Sequence, residues 1–394
     1  MYKRSSIPRE LERKLFGEAA SGLQAFCLER WQSLHETQAR VLLSESGVEP
    51  LTLAELEELG VELGDLKDIP LGYGWTRGSP ELRKAVAGLY GGSVDPEGIL
   101  VTNGSAEANL AAVVSIVRPG DVVAVDMPNY MQVAGLLRWV GAQVVELWRK
   151  PPSWSFPLDE ALRVIEERRP KALFVTDPNN PTGSYMSRRE LSKLADAAGA
   201  AGTLLVFDEV YWGLELEGDR PSVLEVAGPE LAVSISGLSK VYGLPGLRIG
   251  WLASTPERSE RAWSVKDYTT IAPNVLSDFV ASKVLSNPRV VETLRERART
   301  IVTTNLSRLE EVLRSIQNRV RLHRPRAGAY ALIEVGKGGT LEVAYKLFRD
   351  HGILVNPGEC FGIPGYLRVG LGEKPEKFRT SAALLAEALD GAVP

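Results

Sequence analysis

Apolar, β-branched runs alternate with helical patterns between residues 98 and 253. Seven runs of five to eight residues contain few polar positions, which is typical of strands buried on both faces of a sheet. They are ILVTNG (99–104), DVVAVD (121–126), QVVELW (143–148), KALFVTD (171–177), TLLVFDEV (203–210), AVSIS (232–236) and LRIGWLA (247–253). Amphipathic segments lie between them, and Ser187 with Glu190 forms a capping box that opens one helix. The alternation predicts an α/β fold with a mostly parallel, seven-stranded sheet between helices.

The two ends of the chain follow a different pattern. Residues 1–47 are expected to form a largely helical arm without strand signals. Residues 276–394 mix helical patterns with short strands such as AYALIEV (329–335) and GYLRVGL (365–371). We therefore predict an N-terminal arm (1–47) that packs with the small domain, a large domain (48–275) and a smaller α+β domain (276–394). No obvious flexible linker separates them, so tight packing between the domains is expected.

Composition and charge narrow the classes of function. The chain has 394 residues, of which 44% are hydrophobic and 24% charged, as in ordinary globular proteins. A formal net charge of −4 gives no general attraction to nucleic acid or to an anionic membrane. The start of the chain has no apolar core of signal-peptide length, and no run approaches the roughly 18 apolar residues of a membrane span. These features predict a soluble, cytoplasmic protein without a nucleic-acid or membrane partner.

Cysteine and histidine positions give no sign of a metal site. Cys27 and Cys360 lie far apart and outside any CxxC pattern, which we take to exclude a disulfide framework and a thiolate zinc site and to fit a reducing cytoplasm. There is no HExxH, and His35, His323 and His351 are dispersed. We therefore predict that the protein binds no metal.

Five successive strand ends carry unusual polar groups. They are NGSAE (103–107), DMPNY (126–130), DPNNPTG (177–183), DEVYW (208–212) and SGLSK (236–240). Any one of them could be an ordinary loop, since loops are rich in Asn, Gly, Pro and Asp. In open α/β sheets, however, ligands bind beyond the carboxyl ends of the strands. Five such groups on one edge therefore indicate a binding site.

The segment from Gly104 to Glu107 opens a predicted helix, so its backbone N–H groups are unpaired and favour an anion such as phosphate. Arg248 could close that site with charge-assisted hydrogen bonds, or it could be a surface cation.

Asp208 ends a buried run, and a carboxylate there must be paired or solvated. It could cap a turn, or it could meet a cationic ring nitrogen.

Lys240 is the residue that favours one chemistry over the others. A lysine amine is a useful nucleophile toward carbonyl groups once desolvation or a neighbouring cation lowers its pKa. Lys240 follows a buried strand and sits among small residues. The residue three before it is Gly237, so the S-x-x-K pattern of serine-lysine hydrolases is absent. No glycine-rich nucleotide-binding pattern is present either.

Together these motifs resemble those of fold-type-I pyridoxal-phosphate enzymes of the class I/II aminotransferase group. The resemblance runs from about Gly47 to the C-terminus. It rests on DPNNPTG, on Asp208 and Tyr211 spaced as D-x-x-Y, and on SK followed by GLRIG. YGWTRGSPELR (73–83) and NPGECFGIPGYLRVGLG (356–372) are similar to further segments of the family. The resemblance implies a pyridoxal 5'-phosphate cofactor.

The family's catalytic residues carry over to Lys240, Asp208 and Tyr211. The resemblance implies that Lys240 carries the cofactor aldehyde as an internal Schiff base and that Asp208 pairs with the protonated pyridine nitrogen. A charged ring nitrogen makes the ring an electron sink for the carbanion formed at the substrate Cα. Asn180 and Tyr211 are expected to hydrogen-bond the phenolic oxygen of the ring, and Tyr130 to stack on the ring.

The cofactor phosphate is expected on the backbone amides of Ser105, Ala106 and Glu107, with Arg248 beside them. Many relatives have a hydroxyl residue where this chain has Gly237 and Ala106. Such a loss would weaken phosphate binding by about 1 kcal/mol per hydrogen bond. Ser105, Ser236 or Ser239 could compensate, and the sequence does not decide among these three serines.

Three further residues are assigned by the resemblance. Tyr73 matches a residue that reaches the neighbouring subunit's phosphate, which implies a homodimer with shared active sites. Arg368 matches the arginine that binds the substrate α-carboxylate, for which a planar guanidinium is well suited. Gly47, Asn180 and Arg368 are the implied substrate-binding residues.

The implied reaction is transfer of an amino group from an amino acid to a 2-oxo acid. Lys240, once displaced from the imine, acts as general base at the substrate Cα, and the two half-reactions give ping-pong kinetics. The same scaffold serves C–S lyases, aminocyclopropane-carboxylate synthases and capreomycidine-synthase-like proteins, so elimination or cyclisation remains an alternative. A non-catalytic cofactor-binding protein is a third possibility. No second cation can be assigned to the substrate side chain from spacing, so side-chain specificity stays open.

Overall fold

The N-terminal arm is built from short elements. The computed structural model describes residues 7–336 and 338–393, so residues 1–6 of the predicted arm lie outside the described part. The arm contains α1 (Arg9–Phe16), β1 (Glu18–Ala20), β2 (Leu23–Gln24), α2 (Cys27–His35), a 3₁₀ turn (Glu36–Gln38) and β3 (Val41–Leu42). The expectation of an arm without strands is wrong, because β1 pairs with β2 and β3 pairs with a strand near the C-terminus. Strands of two or three residues are too short to leave a periodic signal in the sequence.

The middle of the chain alternates strands and helices. Its elements are α3 (Leu53–Glu58), α4 (Pro80–Leu89), β4 (Ile99–Asn103), α5 (Ser105–Ile116), β5 (Val122–Met127), α6 (Gln132–Trp139), β6 (Gln143–Trp148), α7 (Leu158–Arg168), β7 (Ala172–Thr176), α8 (Arg188–Ala201), β8 (Leu204–Asp208), α9 (Val223–Leu231), β9 (Ala232–Gly237), β10 (Ile249–Ala253) and α10 (Pro256–Lys266). The capping box that opens α8 is present, with Glu190 N donating to Ser187 Oγ at 3.3 Å.

Seven of these strands form one sheet in the order β4-β10-β9-β8-β7-β5-β6. The predicted α/β fold with a mostly parallel, seven-stranded sheet is confirmed. Only β10 is antiparallel to its neighbours. The start of β10 therefore lies at the edge where the other strands end, and Arg248, which directly precedes β10, lies at the same edge as Lys240.

The C-terminal part forms a smaller α+β unit. It contains α11 (Val275–Leu285), α12 (Pro288–Leu313), β11 (Arg321–His323), β12 (Tyr330–Glu334), α13 (Thr340–His351), β13 (Ile353–Leu354), β14 (Asn356–Pro357), β15 (Tyr366–Gly370) and α14 (Pro375–Ala392). The strands β11-β12-β15-β14 form an antiparallel sheet, and β13 pairs with β3 of the arm. Trp31 Nε1 in α2 also donates to Val355 O at 2.9 Å. The arm is thus held against this unit by backbone and side-chain contacts.

The large sheet is buried on both faces. Alternate residues of one strand point to opposite faces, and Leu100 and Val101 of β4 accordingly belong to two different apolar clusters. Both residues are fully buried. Residues buried on either face explain why these strands show apolar runs instead of a polar–apolar alternation.

The two cysteines form a disulfide between Cys27, the first residue of α2, and Cys360, in the turn before β15. Their Cα atoms are 5.1 Å apart. The interpretation that the cysteines speak against a disulfide is therefore wrong. The two cysteines are 333 residues apart in sequence. Their contact could not be recognised from the sequence, because it arises only when the arm packs on the C-terminal unit.

Of the helices in the described part of the chain, none combines the length and the apolar character needed to cross a lipid bilayer.

Candidate active site

A cavity of about 320 Å³ lies at the edge where the parallel strands end. Most of the residues predicted for the site line it. They are Ser105, Ala106, Tyr130, Asn180, Asp208, Tyr211, Ser239, Lys240, Arg248 and Arg368. The cavity therefore collects side chains from the large sheet and from β15 of the smaller unit.

Lys240 follows β9, and its ammonium group points to the arm. Lys240 Nζ donates to Ser46 Oγ at 3.0 Å. Burial lowers the pKa of Lys240, Glu45 opposes this effect, and the positive charge of Arg368 adds to it. A lowered pKa increases the fraction of neutral amine, which is the nucleophilic form.

Asp208 is the last residue of β8 and is buried at the floor of the cavity. Asn109 Nδ2 donates to Asp208 Oδ2 at 2.9 Å, and Val210 N donates to Oδ1 at 3.2 Å. Burial raises the pKa of Asp208 to about 6, although these hydrogen bonds and the charge of Lys240 oppose the rise. The carboxylate is therefore mostly ionised at pH 7 and has no ion-pair partner within 4 Å among the described residues.

An anion-binding corner forms where α5 begins. Gly104 adopts φ +81°, and a Cβ there would lie 2.4 Å from Arg248 Nη2, so only glycine lets the guanidinium lie this close. No side chain caps the first turn of α5. Arg248 Nη1 donates to Ser239 Oγ at 3.4 Å. The free amides, the helix dipole and the arginine together favour a phosphate-sized anion.

Glu107 differs from the other residues predicted for this corner. Its N–H donates to Gly104 O at 3.2 Å, and its carboxylate accepts from Asn103 N at 2.7 Å and from Thr270 Oγ1 at 2.7 Å. The side chain does not line the cavity. The amides that face the anion-binding corner are therefore those of Ser105 and Ala106.

The structure narrows the choice among the three serines. Ser105 and Ser239 line the cavity, whereas Ser236 donates its hydroxyl hydrogen to Glu209 O at 3.2 Å. It also explains why a hydroxyl residue is missing at Gly237. A Cβ at that position would lie 2.9 Å from Ile249 O on the neighbouring strand.

Arg368 projects from β15 and is buried, with only 1% of its surface exposed. Nη1 donates to Asn180 Oδ1 at 2.9 Å and Nη2 to Ser44 O at 2.6 Å. Nε has no hydrogen-bond partner, and no carboxylate of the described residues lies within 4 Å of the guanidinium. A buried cation with an unsatisfied donor and no counter-ion is suited to bind an anionic group of a ligand.

Two of the three predicted tyrosines, Tyr130 and Tyr211, line the cavity in different ways. The Tyr130 hydroxyl donates to Glu29 Oε1 of α2, and its ring lies 5.0 Å from that of Phe26 in an edge contact. Tyr211 is fully buried and makes a T-shaped contact with Tyr330 at 5.0 Å. Both hydroxyls are kept protonated, because burial raises the pKa of each.

Besides Glu107, two predicted residues lie outside the cavity lining. Gly47 packs against the backbone of Ser239 and Lys240. Tyr73 is 90% exposed on the surface and contributes nothing to the cavity of its own chain.

Several acidic residues at the strand ends have a structural role instead. Arg149 Nη2 lies 2.9 Å from Asp126 Oδ2, and Arg220 bridges Asp177 Oδ1 at 2.6 Å and Glu209 Oε1 at 2.7 Å. All five side chains are buried. This network fixes the loops that present the cavity residues. Removing one partner would leave an uncompensated buried charge.

Sequence reasoning missed several residues that line the cavity. Asn109 lies four residues after Ser105, one helical turn along α5, and this spacing could have identified it. The arm residues carry no such signal, because their approach depends on packing against the C-terminal unit. They include Glu29, Gln32, Ser33, Glu36, Glu45 and Ser46.

The fold and the cavity define a pyridoxal-phosphate enzyme of fold type I, and comparison with known proteins supports this class. The sequence profile "Aminotransferase class I and II" matches residues 65–383. The chain belongs to this family, which uses pyridoxal phosphate. It is 30% identical over 322 residues to the aspartate/prephenate aminotransferase of Thermus thermophilus, covering 80% of this chain and 83% of that one.

Two further similarities span almost the whole chain. Capreomycidine synthase of Streptomyces vinaceus is 29% identical over 386 residues, covering 94% of this chain and 95% of the relative. A crystal structure of a PLP-dependent aminotransferase from Streptococcus suis superposes with a TM-score of 0.87 at 32% identity, covering 94% of this chain and 98% of the other.

The side chains present fit this cofactor. Lys240 supplies an amine of lowered pKa for the aldehyde, and Asp208 supplies a buried carboxylate without an ion pair for a cationic ring nitrogen. The free end of α5 with Arg248 supplies donors for the phosphate. Each polar group of the cofactor therefore has a chemically matched partner in one cavity.

Proposed function

We propose that the protein transfers the amino group of an amino acid to a 2-oxo acid in two half-reactions at this cavity. The observation that carries the proposal is the meeting of Lys240, Asp208 and Arg368 in one cavity. Lys240 matches the aldehyde of the cofactor, and Asp208 matches its ring nitrogen. Arg368 matches a substrate carboxylate. When bound, the cofactor withdraws electrons from the substrate Cα and stores the amino group between the half-reactions.

The chain's own residues have distinct tasks in this proposal. Lys240 is the lysine that holds the cofactor covalently; once released, its amine moves the proton at the substrate Cα. Asp208 keeps the ring nitrogen protonated. Asn180 and Tyr211 donate to the phenolic oxygen of the ring, and Tyr130 packs on the ring face.

Two arginines anchor the anionic groups. Arg248 holds the cofactor phosphate together with the amides of Ser105 and Ala106, and Ser239 is the serine best placed to add a hydroxyl donor. Arg368 binds the substrate α-carboxylate through its free Nε, while its bond to Asn180 fixes the orientation of the guanidinium. Anchoring at both ends holds the Cα near Lys240, which converts the proton transfer into an intramolecular step.

The proposal is tested by mixing the cofactor-loaded protein with single amino acids in the absence of any oxo acid. We expect one equivalent of the matching 2-oxo acid per active site and no ammonia, because transamination stops after one half-reaction. Adding a 2-oxo acid should then restart product formation. Chromatography of the oxo acid and an ammonia assay give the readout. Failure of every amino acid to yield its oxo acid would contradict the proposal.

Cyclisation or elimination is the second candidate, and the similarity to capreomycidine synthase over 94% of the chain favours keeping it. The same mixtures separate the reactions. A lyase releases ammonia or a thiol over many turnovers without an oxo acid partner. A cyclising enzyme yields a ring-closed amino acid, detectable by mass spectrometry, and a non-catalytic binding protein yields no product.

A homodimer with shared sites is part of the proposal. Leu71, Tyr73, Trp75 and Tyr268 are between 64% and 93% exposed. They lie on two segments that Lys266 ties together, since its Nζ donates to Thr76 O at 2.9 Å and to Ile271 O at 2.7 Å. Several large apolar side chains exposed on neighbouring segments are typical of an interface.

We expect light scattering to give about twice the chain mass of 43.0 kDa. The double substitution Leu71→Asp and Trp75→Asp should return the mass to that of one chain, because it places charges in the proposed interface. Leu384→Asp, at an exposed apolar position of α14, is the control and should leave the dimer intact. A wild-type mass of one chain at micromolar concentration would exclude the dimer.

The domain division and the compartment also remain proposals. The contacts of the arm support its assignment (residues 1–47) to the smaller unit (276–394), with residues 48–275 as the large domain. A cytoplasmic location stays a prediction, and the Cys27–Cys360 disulfide argues against it, because reducing compartments keep most thiols reduced.

A further inference from the structure

One face of α2 and the turn after it points into the cavity. Glu29, Gln32, Ser33 and Glu36 line the cavity and are spaced at i, i+3, i+4 and i+7, which places them on one side of a helix. Glu36 is the first residue of the 3₁₀ turn that continues the helix. This set is called the acidic face below.

The opposite side of α2 is fixed by packing. Leu28, Trp31 and His35 are buried, and Trp31 Nε1 donates to Val355 O at 2.9 Å. The disulfide from Cys27 to Cys360 anchors the first turn. The orientation of the acidic face is therefore determined by the core and does not depend on the face itself.

The carboxylates on this side of the cavity have no cationic partner. Glu29 and Glu36 of the acidic face and Glu45 after β3 all line the cavity. No lysine, arginine or histidine nitrogen among the described residues lies within 4 Å of any of them, although 19 such pairs occur elsewhere in that part of the chain. Glu29 accepts a hydrogen bond from the Tyr130 hydroxyl, which is neutral.

The other side of the cavity contains the cations. Arg368 is buried, and its Nε is unpartnered. Lys240 and Arg248 are the remaining cations of the lining, and the proposed function assigns both to the cofactor. No cation is left among the lining residues for a second carboxylate of a substrate.

We propose that the preferred amino-group donor is an amino acid with a positively charged side chain, held by Arg368 at its α-carboxylate and by Glu29, Glu36 and Glu45 at its guanidinium or ammonium group. This inference rests on the proposed function and names its substrate class. A cation at the acidic face gives these carboxylates an ion-pair partner, whereas an acidic side chain would bring a fourth negative charge beside the three already present. Glu29, Glu36 and Glu45 are exposed to solvent, whereas Arg368 is buried, so water weakens the charge effects at the acidic face more than those at Arg368.

The supporting electrostatics come from the same residues. Glu45 and Glu29 each raise the pKa of Lys240 and of Arg368, which burial lowers. These carboxylates therefore act electrostatically on both cations from the other side of the cavity.

The test compares substrates that have nearly the same shape and differ in charge. L-Arginine is measured against L-citrulline, and L-lysine against L-norleucine, by kcat/KM for release of the 2-oxo acid. We expect the charged member of each pair to be favoured at least about 10-fold, and L-aspartate to be the poorest donor. Glu29→Gln and Glu45→Gln should each reduce the arginine-to-citrulline ratio at least about 3-fold, and the double variant should bring it near one. Glu166→Gln, at an exposed position of α7, is the matched control and should keep the ratio of the unchanged protein.

A binding measurement separates this inference from the proposed function. 5-Guanidinopentanoate and hexanoate lack the amino group and cannot react, so calorimetry on the cofactor-loaded protein reports only binding. Tighter binding of the guanidino acid by about 10-fold, lost in Glu29→Gln/Glu45→Gln, supports the inference even if no amino acid yields an oxo acid. Equal binding, or equal kcat/KM for arginine and citrulline while some amino acid is still converted, overturns the inference and leaves the proposed function standing.

Discussion

Replacing Lys240 by alanine should lower kcat at least about 10⁴-fold while the cofactor remains bound. The substitution removes both the amine that holds the cofactor and the base that moves the proton at the substrate Cα. Lys240 Nζ donates a hydrogen bond to Ser46 Oγ at 3.0 Å. The structural loss is therefore small, because the anion-binding corner and Asp208 do not depend on it.

Two measurements separate chemistry from folding in this variant. Borohydride reduction followed by denaturing mass spectrometry should attach the cofactor to the unchanged protein and not to Lys240→Ala. The thermal midpoint should stay within a few degrees of the parent protein. Lys193→Ala, at an exposed position of α8, is the control and should retain both activity and covalent attachment. Retention of full transaminase activity by Lys240→Ala would mean that another group is the nucleophile.

Asp208→Asn should lower kcat about 10²–10³-fold, with a smaller effect on the substrate KM. The carboxylate is buried, mostly ionised at neutral pH and without an ion pair, so its charge is available to a cationic ring nitrogen. Asparagine has nearly the same volume and cannot supply that charge. The ring would then lose its protonated nitrogen and with it much of its capacity to accept electrons.

The effect of Asp208→Asn on cofactor content is as informative as its effect on kcat. Cofactor content, measured by absorbance of the purified protein, should fall only modestly because the phosphate contacts remain. Asp159→Asn, in the exposed first turn of α7, tests whether any loss of a carboxylate has the same consequence, and we expect full activity. An Asp208→Asn variant with an unchanged kcat would remove this residue from the proposed mechanism.

The large sheet could be predicted from the sequence because its strands are buried on both faces. This burial leaves apolar runs that end abruptly in polar residues, and β6 was predicted at its observed bounds. The same abrupt ends identified Asp208 and Lys240 as neighbours on one edge. Arg248 joins them because β10 runs antiparallel to its neighbours. This reversal could have been predicted only from the resemblance to the family motif.

The arm's contribution could not be predicted in the same way. Glu29 and Glu36 form a polar helix face, which in isolation is typical of a solvated surface. Their approach to the cavity depends on Trp31 packing against the C-terminal unit and on the contact between Cys27 and Cys360, both of which join residues more than 300 positions apart. Tertiary contacts of this kind leave no periodic signal in the chain.

The disulfide has a consequence for how the site would discriminate between substrates of different length. It ties the helix that carries Glu29 to the turn that leads into the strand of Arg368. If the C-terminal unit moves relative to the large sheet, both ends of a bound amino acid move with it as one body. The distance between Glu29 and Arg368 then stays constant, so the protein would select side chains by length as well as by charge.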